Sequence, residues 1–167
     1  MKVSVITATR HGSTFEVAET IAGRLTELGH SAEVVDAEQA TGTIDGDAIV
    51  LGSPIYMGRW LKSARKIAEG LSRADDKRPL FLFACGPLGD PPQPDPPEAE
   101  ALVGALADKA LECRIFTGKL EESELNRRER MMVHAVKAPP GDFREIEAIE
   151  DFADSIAAKL SRGGGAR

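Results

Sequence analysis

The stretch Lys2–Val35, KVSVITATRHGSTFEVAETIAGRLTELGHSAEVV, decides the architecture. Lys2 to Ala8 is β-branched and apolar, reads as a strand, and runs into a polar, glycine-containing turn. Val17, Ile21, Leu25 and Leu28 then recur at helical spacing, and Gly29 ends the helix as a C-terminal glycine does. Ser31 to Val35 reads as a second strand. A strand, a helix and a strand in this order make a βαβ unit, whose strands lie parallel and whose crossover is right-handed.

The alternation continues outward from that unit. Asp47 to Gly52, Leu80 to Cys85 and Cys113 to Thr117 read as three further strands, and the unbroken apolar run at Leu80 implies burial on both faces of a parallel sheet. Helices are expected at Leu61 to Ala74, at Glu98 to Leu111, and at Ile146 to Leu160 with apolar positions Ile146, Ile149, Phe152, Ile156 and Leu160. Gly118 to Asp142 is too long for an ordinary connection, so it is expected to hold an extra helix, ended by Pro139-Pro140-Gly141. Its charged half is Glu121 to Arg130, and its apolar half, Met131 to Val136, is expected to pack on the domain. The expectation is one domain over 1–161, a disordered glycine-rich tail at 162–167, and no internal repeat.

The 167 residues are 42% hydrophobic and 29% charged, enough for one sizeable core, and the net charge of -6 argues against general nucleic-acid binding. No apolar run approaches the roughly 20 residues of a membrane span. No signal-peptide pattern opens the chain, so a cytoplasmic location is expected. Cys85 and Cys113 have neither disulfide-scaffold nor metal-ligand spacing, which leaves reduced, mostly buried thiols and no metal site.

Ligands of open parallel sheets bind beyond the carboxyl ends of the strands, near the point where strand order reverses. Three loops are placed there. Thr9 to Thr14, T-R-H-G-S-T, runs straight into a helix and offers backbone N–H groups, three hydroxyls and a glycine to a phosphate dianion. It lacks both the P-loop and the dinucleotide fingerprints, which favours a mononucleotide phosphate without metal; the alternative is that Ser13 or Thr14 only caps the helix. Ser53 to Trp60, S-P-I-Y-M-G-R-W, puts the chain's one Tyr and one Trp where a polar loop is expected, suited to holding a planar ring. Packing of Tyr56 and Trp60 on their own helix is the alternative. Gly86 to Pro97 is proline-stiffened and offers backbone groups at Gly86, Leu88, Gly89 and Asp90; its proline run reads as a lead into the next helix.

On these residues the chain resembles a known family. T-R-H-G-S-T followed by F-E-V-A-E is similar to the phosphate loop of flavodoxins, and G-S-P-I-Y-M-G-R-W resembles the flavin-covering loop of their relatives, the menaquinone-dependent protoporphyrinogen oxidases. The resemblance implies a flavodoxin-like α/β fold, a doubly wound five-stranded parallel sheet of order 2-1-3-4-5 with helices on both faces, and FMN as cofactor. Thr9, Arg10, His11, Gly12, Ser13 and Thr14 would surround the phosphate. Ser53, Pro54, Ile55, Tyr56, Met57, Gly58 and Trp60 would line the ring or ribityl chain, and Cys85, Gly86, Leu88, Gly89 and Asp90 its pyrimidine edge. Gly58 would be the peptide that changes orientation with redox state.

Two departures bear on function. Arg59 stands where flavodoxins often carry an acid, and its cation would stabilise an anionic reduced flavin. The segment K-L-E-E-S-E-L-N-R-R-E-R mixes charges and has no aromatic residue, unlike the basic, aromatic segment of the oxidases, which argues against membrane docking. Three functions follow as expectations: an FMN oxidoreductase passing electrons from a reduced small molecule such as protoporphyrinogen to a quinone, an electron carrier between redox partner proteins, or a flavin-free interaction domain. No catalytic acid, base or nucleophile is assigned.

Overall fold

Apolar side chains alternate along the central strand, so both faces of the sheet are buried. The computed structural model describes residues 1–40, 44–56, 59–74, 76–86, 106, 108–135 and 140–163. Strand β3, Ala48–Tyr56, sends Val50 to one face with Val3, Val5, Phe81 and Phe83, and Ile49 and Leu51 to the other with Ile6, Leu80 and Leu82. It lies between β1, Lys2–Thr7, and β5, Leu80–Cys85. Strand β2, Ser31–Asp36, and strand β6, Glu112–Phe116, complete the order β2-β1-β3-β5-β6, with every one of these neighbours parallel. The five-stranded parallel sheet expected from the sequence is therefore present.

Helix α1, Ser13–Glu27, and helix α4, Ile146–Gly163, cover one face through Val17, Ile21 and Leu25 and through Ile149, Phe152, Ile156 and Leu160. Helix α2, Lys62–Arg73, covers the other through Ala64, Ile67 and Leu71, joined by Leu106. Phe116 links β6 to both neighbours, its ring centroid 6.2 Å from that of Phe83 and 5.8 Å from that of Phe152.

Several boundaries differ from expectation. β3 continues past Gly52 to Tyr56 and folds back through β4, Arg59–Trp60, so Ser53 to Trp60 is mostly a hairpin, not an open loop. Its β-branched and aromatic residues pair well across two strands, which outweighs the turn signal of Ser53-Pro54. α4 runs to Gly163, so Arg162 and Gly163 belong to the helix and not to a tail. Of the helix expected at Glu98 to Leu111, only Leu106 and the residues from Asp108 lie within the described part.

The long connection after β6 is an excursion closed at its base. Strands β7, Lys119–Leu120, and β8, Gly141–Asp142, pair antiparallel, and the Phe143 N–H donates to the Gly118 carbonyl at 3.1 Å. Between them lie a short 3-10 turn, Glu122–Glu124, and the extra helix α3, Arg127–Ala135. Contrary to the expected packing of the Met131 half, Met131 is 74% exposed; the helix is held at its other end, by buried Leu125 and Glu129.

Gly52 is required by the core. A Cβ there would lie 2.0 Å from Cζ of Phe83, whose ring crosses the strand at that point. Gly52→Ala is expected to destabilise the fold by about 3 kcal/mol, since the ring has to leave its packed position. The chemical-denaturation midpoint reads this directly, and an unchanged midpoint contradicts the packing.

Candidate functional site

The β1–α1 turn ends in a helix start with no side-chain cap. Gly12 is the N-cap residue, in the left-handed region at φ 84°, and among the described residues no side chain caps the helix N-terminus. The Phe15 and Glu16 N–H groups turn back to the Gly12 carbonyl, at 2.9 and 3.1 Å. The N–H groups of Ser13 and Thr14 are the helix's first and have no intrahelical acceptor, so they point out at the carboxyl end of the sheet. The reading in which Ser13 or Thr14 merely caps α1 is not the arrangement found. Thr9 shapes the turn by accepting from the Gly12 N–H through Oγ1 at 2.9 Å.

Side chains of the turn divide by direction. Thr14 is buried. A hydrogen bond from Thr14 reaches the buried Cys85 thiol, whose pKa is nonetheless pushed up to about 12 by desolvation. His11 carries a buried Nε2 that makes no hydrogen bond among the described residues but faces the Glu129 carboxylate. Two features of the turn fit a phosphate: an uncapped helix N-terminus and a glycine in the left-handed region.

The hairpin separates residues that the sequence grouped together. Ile55 pairs with Trp60 and Tyr56 with Arg59, so alternation sends the two pairs to opposite faces. Trp60 is only 3% exposed and packs in the α2-side core with Ile6, Ala8 and Ala64, its Nε1 without a partner. Ser53 is fully buried, and its hydroxyl accepts from the Leu61 N–H at 3.0 Å, bracing the hairpin. Ser53 and Trp60 are thus buried, Trp60 with Ile55 on the α2 side, while Tyr56 and Arg59 lie on the other face of the hairpin. Arg59 is exposed, and Pro54 and Ile55 are half-buried. A Cβ on Gly86 would come within 2.8 Å of the Ile55 Cβ, so hairpin and third loop meet there. Cys85 lies in the core, which leaves Gly86 as the described member of that loop at the sheet edge. Met57, Gly58, Leu88, Gly89 and Asp90 lie outside the described residues.

Two residues that the sequence reading missed complete the arrangement. Glu129 on α3 is 4% exposed and sits against the turn and the hairpin together. Its Oε1 accepts from Arg10 Nε at 2.5 Å and from the Tyr56 hydroxyl at 3.2 Å, and lies 3.5 Å from His11 Nε2. Its Oε2 accepts from the Asn126 N–H at 2.9 Å, while Asn126 Oδ1 accepts from the Glu129 N–H at 2.9 Å, a reciprocal capping box at the start of α3. The Arg10 guanidinium also stacks on Tyr56, 4.3 Å from the ring centroid. Desolvation is the largest influence on the Tyr56 hydroxyl and raises its pKa. Arg144 is the second residue: its side chain, 11% exposed, binds Asp142 and Glu16, each at 2.6 Å, and ties the base of the excursion to α1.

These features lie together at the switch point of a flavodoxin-like sheet. The chain belongs to the flavodoxin family: residues 4–146 match the family described as Flavodoxin domain. Among solved structures it is similar to a flavodoxin from the domain Archaea, with a TM-score of 0.64, 15% identity, and coverage of 96% of this chain and 99% of that one. It is likewise similar to the flavodoxin of Streptococcus pneumoniae TIGR4, at 0.61, 19%, 95% and 99%. Similarity to the rubredoxin:oxygen oxidoreductase of Desulfovibrio gigas, at a TM-score of 0.66 and 12% identity, spans 96% of this chain but 36% of that one. No curated protein matches the sequence. Among the described residues no group of acidic, His or Cys side chains could hold a metal ion, and no helix is long and apolar enough to cross a membrane.

Glu129 gives the site a pH signature. The Asn126 N–H is the largest cause, with the Arg10 hydrogen bond and charge adding to it, and together they hold the carboxyl down at about 2 from an ordinary 4.5 against the desolvation that raises it. A depressed folded-state pKa stabilises the fold above the unfolded value and loses that contribution on acidification. Wild type is expected to exceed Glu129→Gln in stability by about 3 kcal/mol near neutrality. The gap should close as pH falls from 4.5 toward 2. Denaturation across that range checks it, and a gap independent of pH contradicts the ionised assignment.

Proposed function

We propose that this protein binds FMN at the carboxyl edge of the sheet and acts as a redox protein, oxidising a reduced small molecule of the protoporphyrinogen kind and passing the electrons to a quinone. The observation that carries the cofactor is the uncapped start of α1 at Gly12. The Ser13 and Thr14 N–H groups, with Thr9, Arg10 and His11, would hold the phosphate. The Tyr56 side chain, with the backbone at Ile55 and Gly86, would border the ring. The bound flavin supplies the electron-accepting chemistry, and the chain's residues supply position and charge.

Substrate oxidation is favoured by two features of this chain. The excursion 119–142 adds a wall, α3, beside Tyr56, and the exposed Arg59 is a cation in the hairpin where a reduced anionic ring would gain from one. The electron-carrier reading draws on a different observation, the end-to-end similarity to whole flavodoxins. Turnover of protoporphyrinogen with a soluble quinone separates the two: the oxidase reading expects turnover, and the carrier reading expects none.

Ser13→Asp tests the phosphate site with effects of opposite sign. An acid in the first turn of α1 favours the helix by about 0.5 kcal/mol, yet it repels a phosphate dianion at the same place. The variant is expected to keep or raise its melting temperature while losing FMN in fluorescence titration. Unchanged FMN affinity in the folded variant overturns the site, and identification of the released cofactor as FAD overturns the choice of mononucleotide.

A further inference from the structure

Glu129 is 119 residues from Arg10 in sequence, yet it is the described acceptor that joins the turn, the hairpin and α3. Arg10 uses only Nε toward Glu129, and its two terminal nitrogens find no acceptor among the described residues. A guanidinium held at its inner edge and stacked on a tyrosine ring is pre-organised, with its outer N–H groups directed away from the bond that holds it. Left without that carboxylate, a side chain that is 40% exposed would sample many rotamers, and fixing it on ligand binding would cost affinity.

We propose that Glu129 is a positioning residue for the cofactor site: it fixes Arg10 on the Tyr56 ring, so that docking of α3 and binding of FMN are coupled. The inference rests on the FMN reading given above and adds an element to it, since it makes the excursion 119–142 part of the cofactor site. Coupling is reciprocal by linkage: if a docked α3 strengthens FMN binding, FMN must strengthen the docking of α3 by the same factor.

Gln in place of Glu129 keeps an acceptor for the Asn126 N–H, and so keeps the capping box, while removing the charge that holds Arg10. In the full chain, Glu129→Gln is expected to raise the FMN dissociation constant about tenfold, the difference between a charge-assisted and a neutral hydrogen bond. In an Arg10→Ala background the same change should bring no further loss. An equal loss in both backgrounds means that Glu129 acts as a cap and not through Arg10, and it overturns the proposal, as does unchanged or tighter binding by the single variant. Hydrogen exchange of the wild-type protein decides the matter even where the variant fails to fold. FMN should slow exchange of the Arg128 and Glu129 amides, which donate to Asn126 Oδ1 at 3.0 and 2.9 Å. No slowing there overturns the coupling. Failure of wild type to bind FMN removes the cofactor reading and this inference with it, whereas FMN binding that ignores Glu129 removes the inference alone.

Discussion

The first N–H groups of α1 emerge at the carboxyl edge of the sheet with no side chain among the described residues to accept them, and the rest of the site is built around that deficit. A helix start ordinarily carries a Ser, Thr, Asp or Asn cap, worth about 1 kcal/mol. Here the N-cap is Gly12, which tolerates φ 84° but brings no acceptor. The position is set by the fold. β1 and β3 are adjacent and parallel, β2 lies on one side and β5 on the other, and the crevice between the two directions of winding opens where the β1–α1 turn and the β3–β4 hairpin meet.

Around this positive end the chain places cations and then balances them. Arg10 comes with the turn itself, and Arg144 arrives from the base of the excursion beside Glu16. Without compensation such a cluster would be a repulsive patch in the absence of ligand. Glu129 offsets part of it from within, bonding to Arg10 while the outward-pointing N–H groups of Ser13 and Thr14 stay uncapped. The same carboxylate closes the capping box of α3, so one buried charge stabilises a helix start and orders the rim of the site. Neutral Gln could close the box as well, so it is the contact with Arg10 that calls for a charge.

What was legible in the sequence is what local periodicity encodes. The βαβ unit, the doubly buried strand at Leu80 and the amphipathic helix at Ile149 to Leu160 all appear where the spacing put them, and T-R-H-G-S-T forms the turn it suggested. The hairpin was not legible as a strand, because Ser53-Pro54 signals a break. Across a break, the alternation that buries Trp60 and turns Tyr56 to the other face has no strand to run along. Asn126 and Glu129 carry a capping-box spacing that marks the start of α3, but nothing local tells that the glutamate also reaches Arg10. That contact is a product of the excursion closing at β7 and β8, a long-range event with no periodic trace. The exposed Met131 shows the same limit: an apolar stretch reads as a packed face until the polar anchor at the other end is known.

The central claim is that the turn recognises a phosphate, and that a flavin is held here by its phosphate at least as much as by its ring. Titration of the ligand-free protein with FMN and with riboflavin, which share the ring and differ in the phosphate, measures this directly by quenching of flavin fluorescence. Two charge-assisted hydrogen bonds from the turn to the dianion predict FMN binding tighter by about a hundredfold or more. Equal affinities for the two flavins would contradict the account, because the uncapped helix start and its surrounding cations would then have no part in holding the ligand.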